Sequence, residues 1–145
     1  MERAVLAGAR RCACGNVRRT TRALTQFYDQ QLKSSGLRVT QFSLLLNISL
    51  HEGITVGELA RLLLMDQTTV TRDLTALKKA GYIEATRQDR DTRKKNLILS
   101  PAGSEVLAAA MPLWEKAQAC VEDGLGRERY RELLRMLSEV AALTR

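Results

Sequence analysis

The strongest constraint in this chain is a pair of short amphipathic helices written back to back between residues 55 and 81. Thr55-Val56-Gly57-Glu58 is a capping box, in which the threonine serves one orphan N–H and the glutamate reaches back to another. Val56, Leu59, Ala60 and Leu63 then follow on one stripe. A break at Leu64-Met65 leads to Asp66, a strong N-cap, after which Val70, Leu74 and Leu77 face inward until Gly81 supplies the C-terminal stop. Two short helices therefore meet across a tight turn. Directly after them, Tyr82 to Arg87 and Asn96 to Leu99 read as short strands, and the charged run of residues 88–95 between them predicts a hairpin tip.

Helices flank this unit on both sides. Val17, Leu24, Phe27, Tyr28 and Leu32 recur at helical spacing, predicting a first helix over 13–33 that Ser34-Ser35-Gly36 stops. Thr40 can cap a short, mostly buried second helix in which Phe42, Leu45, Leu46 and Ser49 share a face, with His51-Glu52-Gly53 at its end. Ser100-Pro101 opens a fifth helix through Val106, Leu107, Ala110, Leu113, Trp114, Ala117 and Val121, which Pro112 should bend. Glycines 124 and 126 end it, and Tyr130, Leu133, Leu134, Leu137 and Val140 define a sixth running to about Leu143. The expected class is mainly α with a small β-hairpin. A single domain is expected over residues 1–145, with a helix-turn-helix and hairpin module over 40–100 and flanking helices at 13–33 and 101–143.

Helix, tight turn, helix and two-stranded wing form a compact device for reading duplex DNA, since the second helix can enter the major groove while the hairpin reaches an adjacent one. The face of the fourth helix opposite Val70, Leu74 and Leu77 carries Thr68, Thr69, Thr71, Arg72 and Thr75, with Gln67 at its start. Hydroxyls, an amide and a guanidinium hydrogen-bond base edges and phosphates, arginine favouring the paired acceptors of guanine. A generic solvent-facing helix would more often show Glu and Lys. Thr55 at the start of the third helix and Arg90, Arg93, Lys94 and Lys95 at the hairpin tip complete the expected contacts.

Charge agrees. The 145 residues carry 23 Lys and Arg against 16 Asp and Glu, a net +7, the usual signature of a nucleic-acid or anionic-membrane partner. The excess is split between residues 1–40 and 66–100, the latter holding the proposed reading helix and wing. No apolar run approaches a bilayer span, the apolar stretch near the start is too short for a signal peptide, and three cysteines are an odd count for a disulfide framework. A cytoplasmic protein without membrane contact is expected. Cys12-x-Cys14, Cys120 and the single His51 lack zinc-site spacing, and no phosphate loop or nucleophile–base constellation appears, so no metal, cofactor or catalytic residue is expected. His51 reads as a helix-end residue near a carbonyl.

These residues resemble the MarR family of bacterial winged helix-turn-helix regulators. The resemblance covers nearly the whole chain and is carried by LRVTQFSLLL from Leu37, by TVGELARLLLMDQTTVTRDLTALKKAGYIEATRQDRDTRKKNLILSPAG from Thr55, and by the order of the flanking helices. Asp89-Arg90-Asp91-Thr92-Arg93 is similar to the family's wing signature D-x-R-D-x-R shortened by one residue. The resemblance implies a homodimer in which the first, fifth and sixth helices interlock and two reading helices sit on one inverted-repeat duplex. The long apolar stripes of those helices, which one small module cannot cover, point the same way; packing on each other within one chain is the alternative.

Cys12 and Cys14 stand at the entrance to the first helix beside Arg10, Arg11, Arg18 and Arg19, surroundings that make a thiol reactive. The family's organic-hydroperoxide sensors place a reactive cysteine in this region; alignment on Gln41-Phe42 sets Cys14 opposite it and Tyr28 opposite one of its partner tyrosines, but Arg18 and Val39 stand where two others would be. The resemblance also implies a small-molecule pocket between dimer helices and winged module, making Phe27, Tyr28, Phe42 and Trp114 candidate walls for a phenolic or other aromatic effector. Plain core packing is the alternative for those rings. The function expected is a sequence-specific, dimeric transcriptional repressor released by a small ligand or by thiol oxidation. The alternative is a charge-driven nucleoid-associated or anionic-surface binding protein without sequence preference.

Overall fold

The computed structural model describes residues 10–88 and 91–144 together with Arg3 and Gly8, and describes the side chains of these except at 87, 88 and 91–95. The chain runs α1 (Ala13–Leu32), a 3-10 turn (Lys33–Ser35), α2 (Val39–Leu50), β1 (Ile54–Thr55), α3 (Val56–Leu63), α4 (Gln67–Lys79), β2 (Ile83–Gln88), β3 (Asp91–Leu99), α5 (Pro101–Leu125) and α6 (Arg127–Leu143). The strands form one antiparallel sheet in the order β1-β3-β2.

The core sits where α2, α3 and α4 meet the sheet and α5. Phe42, Leu45 and Ile48 of α2, Leu59 of α3, Val70, Leu74 and Leu77 of α4 and Leu97 of β3 are all essentially sealed from solvent, and Leu32, Leu107 and Ala110 close the cluster from α1 and α5. The caps expected at Thr55 and Asp66 form. Glu58 N donates to Thr55 Oγ1 while Thr55 N donates to Glu58 Oε2, and Thr69 N donates to Asp66 Oδ1 at 2.9 Å. Ser100 caps α5 by accepting from Gly103 N.

Several details differ from expectation for local reasons. The second helix begins at Val39, one residue before the expected cap, because Arg38 N donates to Gln41 Oε1 and Val39 N to Asp29 Oδ1 of α1. Two side-chain acceptors thus replace a Thr40 cap. On that helix Leu44 and Ile48 are buried and Ser49 is exposed. The strands extend through most of the charged run, leaving only two residues between β2 and β3, with a register shift at Arg87/Gln88. β1, two residues pairing Ile54 with Leu97 and Thr55 with Asn96, adds a third strand too short to leave a periodic signal. α5 continues unbroken past Pro112, whose missing N–H removes one i→i−4 hydrogen bond, and ends at Gly126, where φ is 83°.

Candidate nucleic-acid interface

α4 is held by its inner stripe. Val70, Leu74 and Leu77 are 0%, 1% and 0% exposed, so the helix cannot rotate without exposing them, and the opposite face is fixed in space. That face presents Gln67, Thr68, Thr71, Arg72 and Thr75, all exposed, and the first four of these line a shallow open depression. Thr71 Oγ1 donates to Gln67 O at 2.7 Å and Thr75 Oγ1 to Thr71 O at 2.8 Å. With their protons bound back to the helix, these hydroxyls offer lone pairs outward and stand in fixed rotamers. The Arg72 side chain is 75% exposed, with Nε 3.5 Å from Asp73 Oδ1, leaving most of its donor fork available.

Two threonines of the expected set also serve helix caps. Thr69 is half-buried, and its hydroxyl donates to Asp66 Oδ2, so it serves the cap. Those contacts hold the Asp66 carboxyl below its ordinary value, the Thr69 hydroxyl contributing most. Thr55 is likewise committed to its capping box, its hydroxyl donating to Glu58 Oε2. Lys78 and Lys79 occupy the last turn of α4, where cations favour the helix dipole. In the hairpin, Arg90 lies outside the described residues. Arg93, Lys94 and Lys95 lie on β3 by their backbone, and their side chains lie outside what is described.

The candidate redox and effector residues fall elsewhere. Cys12 is the N-cap residue of α1, with no side-chain cap bond, and Cys14 lies in its first turn; both are exposed free thiols, as is Cys120. Phe42 is 2% exposed and its ring stacks on Trp114 at 5.9 Å between centroids, while Phe27 meets Tyr28 edge to face at 5.5 Å. His51 stands at the end of α2, its N–H donating to Asn47 O. Among the described residues no three of His, Cys, Asp and Glu gather as metal ligands, and no helix is long and apolar enough to cross a membrane.

Sequence reasoning did not find a polar link among the long helices. Tyr28 OH donates to Gln118 Oε1 at 2.7 Å, and Gln118 Nε2 donates to Glu122 Oε1 and to Tyr130 OH, tying α1, α5 and α6 together. Burial, with Tyr130, Glu122 and Cys120 nearby, raises the Tyr28 phenol above its ordinary 10.0. Only the pairing of helices distant in sequence creates this cluster, so no local pattern announces it.

Comparison with known proteins agrees with this architecture. The family model described as MarR family matches residues 35–94. An HTH-type transcriptional regulator of Bacillus cereus is 30% identical over 123 residues, spanning 84% of this chain and 82% of the relative. The crystal structure of the transcriptional regulator MosR of M. tuberculosis in complex with DNA superposes with a TM-score of 0.81 at 38% identity, covering 92% of this chain and 98% of that one. The transcriptional repressor CouR, bound to a 23-mer DNA duplex, gives a TM-score of 0.83 at 25% identity, covering 97% and 98%. With the helix-turn-helix, the wing and the flanking helices all in place, the chain belongs to the MarR family of winged helix-turn-helix transcriptional regulators, which are DNA-binding proteins and not enzymes.

Proposed function

We propose that this protein is a dimeric, sequence-specific repressor that reads an inverted-repeat operator with α4 of each copy. The observation that carries the reading is the outward face of α4, where Gln67, Thr68, Thr71, Arg72 and Thr75 stand exposed opposite a fully buried apolar stripe. These groups suit base edges and phosphates, and Arg93, Lys94 and Lys95 of the wing, with Arg90, suit the flanking backbone. MosR and CouR, the similar regulators above, are seen on DNA.

The single domain divides by role, with the winged module over residues 40–100 and dimerisation helices over 13–33 and 101–143. Support for the dimer comes from apolar side chains left uncovered on those helices: Val17 and Leu24 of α1 and Leu134, Leu137 and Val140 of α6 are each about two-fifths to one-half exposed, and no residue of α6 is buried. A second copy covers such a surface at the least cost, and two copies place two reading helices about one helical turn of DNA apart. Release follows from any ligand or oxidant that favours a different spacing of those helices. Cys12 and Cys14, exposed at the start of α1, are the candidate thiols. Phe27 and Tyr28, in edge-to-face contact on α1, and Phe42 and Trp114, stacked between α2 and α5, are the candidate walls for a phenolic or other aromatic effector. The setting is the cytoplasm, at the nucleoid.

The test is binding of purified, reduced protein to the DNA upstream of its own gene against a scrambled duplex of equal length. A preference of ~1000-fold or more at near-physiological salt is expected. Equal affinity for both, with a steep salt slope, would replace this reading with the charge-driven binder.

A further inference from the structure

The proposed operator contact leaves the charge of α1 unused. From Arg3 to Tyr28 the sequence holds no Asp or Glu, while Arg10, Arg11, Arg18, Arg19 and Arg22 fall in the N-terminal half of α1 or just before it. All five are exposed, and among the described residues none of them is ion-paired. Asp29, the first carboxylate on the helix, is taken by Val39 N. The arrangement costs the helix stability twice. Cations at a helix N-terminus oppose the macrodipole, with no acid in the first turn to offset them, and Arg18 and Arg22 repel one another as an i,i+4 pair. A merely solvated helix face alternates both signs of charge.

Position separates these arginines from the reading helix. Arg19, Arg22, Gln26, Gln30 and Lys33 recur every three or four residues along α1 and into the turn that follows, with Arg18 beside them. Val17, Leu24, Tyr28 and Leu32 mark the opposite side, so contact made through the apolar side leaves the basic row outward. α5 is tied at its start to the end of α4 by Ser100, and Tyr28 meets it at Gln118, roughly 25 Å of helix further on. Leu32 lies in the core cluster with Leu107 and Ala110, nearer that start. Tracing α1 back from Tyr28 to Arg22 and Arg18 therefore leads farther from the winged module.

We propose that the outer face of α1 is a second DNA-binding surface, which holds the phosphate backbone of a duplex other than the one under α4. Spacing sets the ligand class. Neighbours at i,i+3 and i,i+4 stand about 5–6 Å apart, so the face is a line of guanidinium and amide donors that suits a repeating polyanion rather than one small anion. Arginine forks take phosphate oxygens bidentately, and phosphates on them remove both the dipole and the like-charge costs. An anionic membrane is the poorer occupant, because an interfacial helix sets Trp, Phe or Leu beside its cations, and the row Arg19, Arg22, Gln26, Gln30 contains none. A protein seated on its operator then holds a second segment of duplex, without sequence preference.

The test saturates surface-bound DNA from upstream of the protein's own gene with full-length reduced protein, then adds a fluorescent scrambled duplex of equal length. Saturable capture of the second duplex is expected, falling about 20-fold between about 50 and 150 mM salt, as three phosphate contacts imply. The triple variant Arg18→Gln, Arg19→Gln, Arg22→Gln should capture ~10-fold less or weaker still, with its affinity for the upstream DNA in solution unchanged. Lysine at the same three positions, which keeps the charges, should retain capture. Thermal unfolding without DNA should find the glutamine variant at least as stable as wild type, since the charges it lacks oppose the helix dipole. No capture by wild type overturns the site, and so does equal capture by the glutamine variant, which would assign bridging to the two reading helices. Weaker binding of upstream DNA by that variant would move the arginines into the operator contact, and dissociation of its copies would place them between copies; either result also overturns the proposal. Equal affinity of the wild type for upstream and scrambled DNA is a failure of the repressor reading alone, because capture of the second duplex needs no sequence preference.

Discussion

Gly103 lies so close to Tyr82 that a Cβ atom on it would stand 1.9 Å from the Tyr82 carbonyl oxygen. Around this contact Ser100 N donates to Tyr82 O, and Ser100 Oγ donates to Gly81 O while accepting from Gly103 N. The end of the reading helix and the start of the long α5 are therefore one unit, joined backbone to backbone. Gly103→Ala must push the two apart and should destabilise the protein by about 3 kcal/mol. Ser100→Ala, which removes a cap and leaves Gly81 O without its donor, should cost about 1–2 kcal/mol. Urea unfolding measures both, and wild-type stability in Gly103→Ala would contradict the close approach.

The stacked pair of Phe42 and Trp114 gives a second prediction. Phe42 joins α2 to α5 from within the core at 2% exposure. Phe42→Ala should cost about 4 kcal/mol through lost burial and the cavity left behind. Phe42→Leu should cost about 1 kcal/mol, since most of the volume is kept. Trp114 fluorescence should shift to longer wavelength in the alanine variant as its ring loses an apolar neighbour. An unshifted spectrum would mean that the stack does not form.

The parts legible in the sequence were those written by local rules. Capping at Thr55, Asp66 and Ser100 needs only a few adjacent residues, and the Val70, Leu74, Leu77 stripe needs only helical spacing, so the module and its outward face could be read directly. Three features required the third dimension. β1 exists because Ile54 meets Leu97, forty-odd positions away, and α2 starts at Val39 because Asp29 of another helix accepts its N–H. The Ser100 junction is the third, since it depends on α5 meeting the chain at Gly81 and Tyr82. Thr69, by contrast, is settled locally: a hydroxyl three positions after an aspartate N-cap is within reach of that carboxylate and donates to it.

The cap of α4 should give the reading helix an acid-sensitive start. Contacts from Thr69 hold the Asp66 carboxyl below its ordinary 3.8, so the folded state favours the carboxylate. The stability this contributes is fully present above pH 3.8 and is lost as pH falls through the lowered folded value. Asp66→Asn keeps an acceptor for Thr69 N but cannot titrate, and should flatten the acid limb of a plot of melting temperature against pH. Asp66→Ala should be less stable than wild type at neutral pH as well. An acid limb unchanged in Asp66→Asn would assign that loss to other carboxylates.

Arg72 and the wing lysines should fail in different ways. The Arg72 fork is available on the outer face of α4, and a bidentate contact to a base is worth about 1–3 kcal/mol of discrimination. Arg72→Ala should therefore lose operator affinity by that amount while scrambled DNA is bound nearly as before. Lys94→Ala and Lys95→Ala should weaken binding to both duplexes alike, each reducing the salt slope by about one through a lost phosphate contact. Fluorescence anisotropy over a salt series on the two duplexes separates the outcomes. Equal losses on both duplexes for Arg72→Ala would move that side chain from base reading to the backbone, and leave Gln67 and the threonines of α4 to read the sequence.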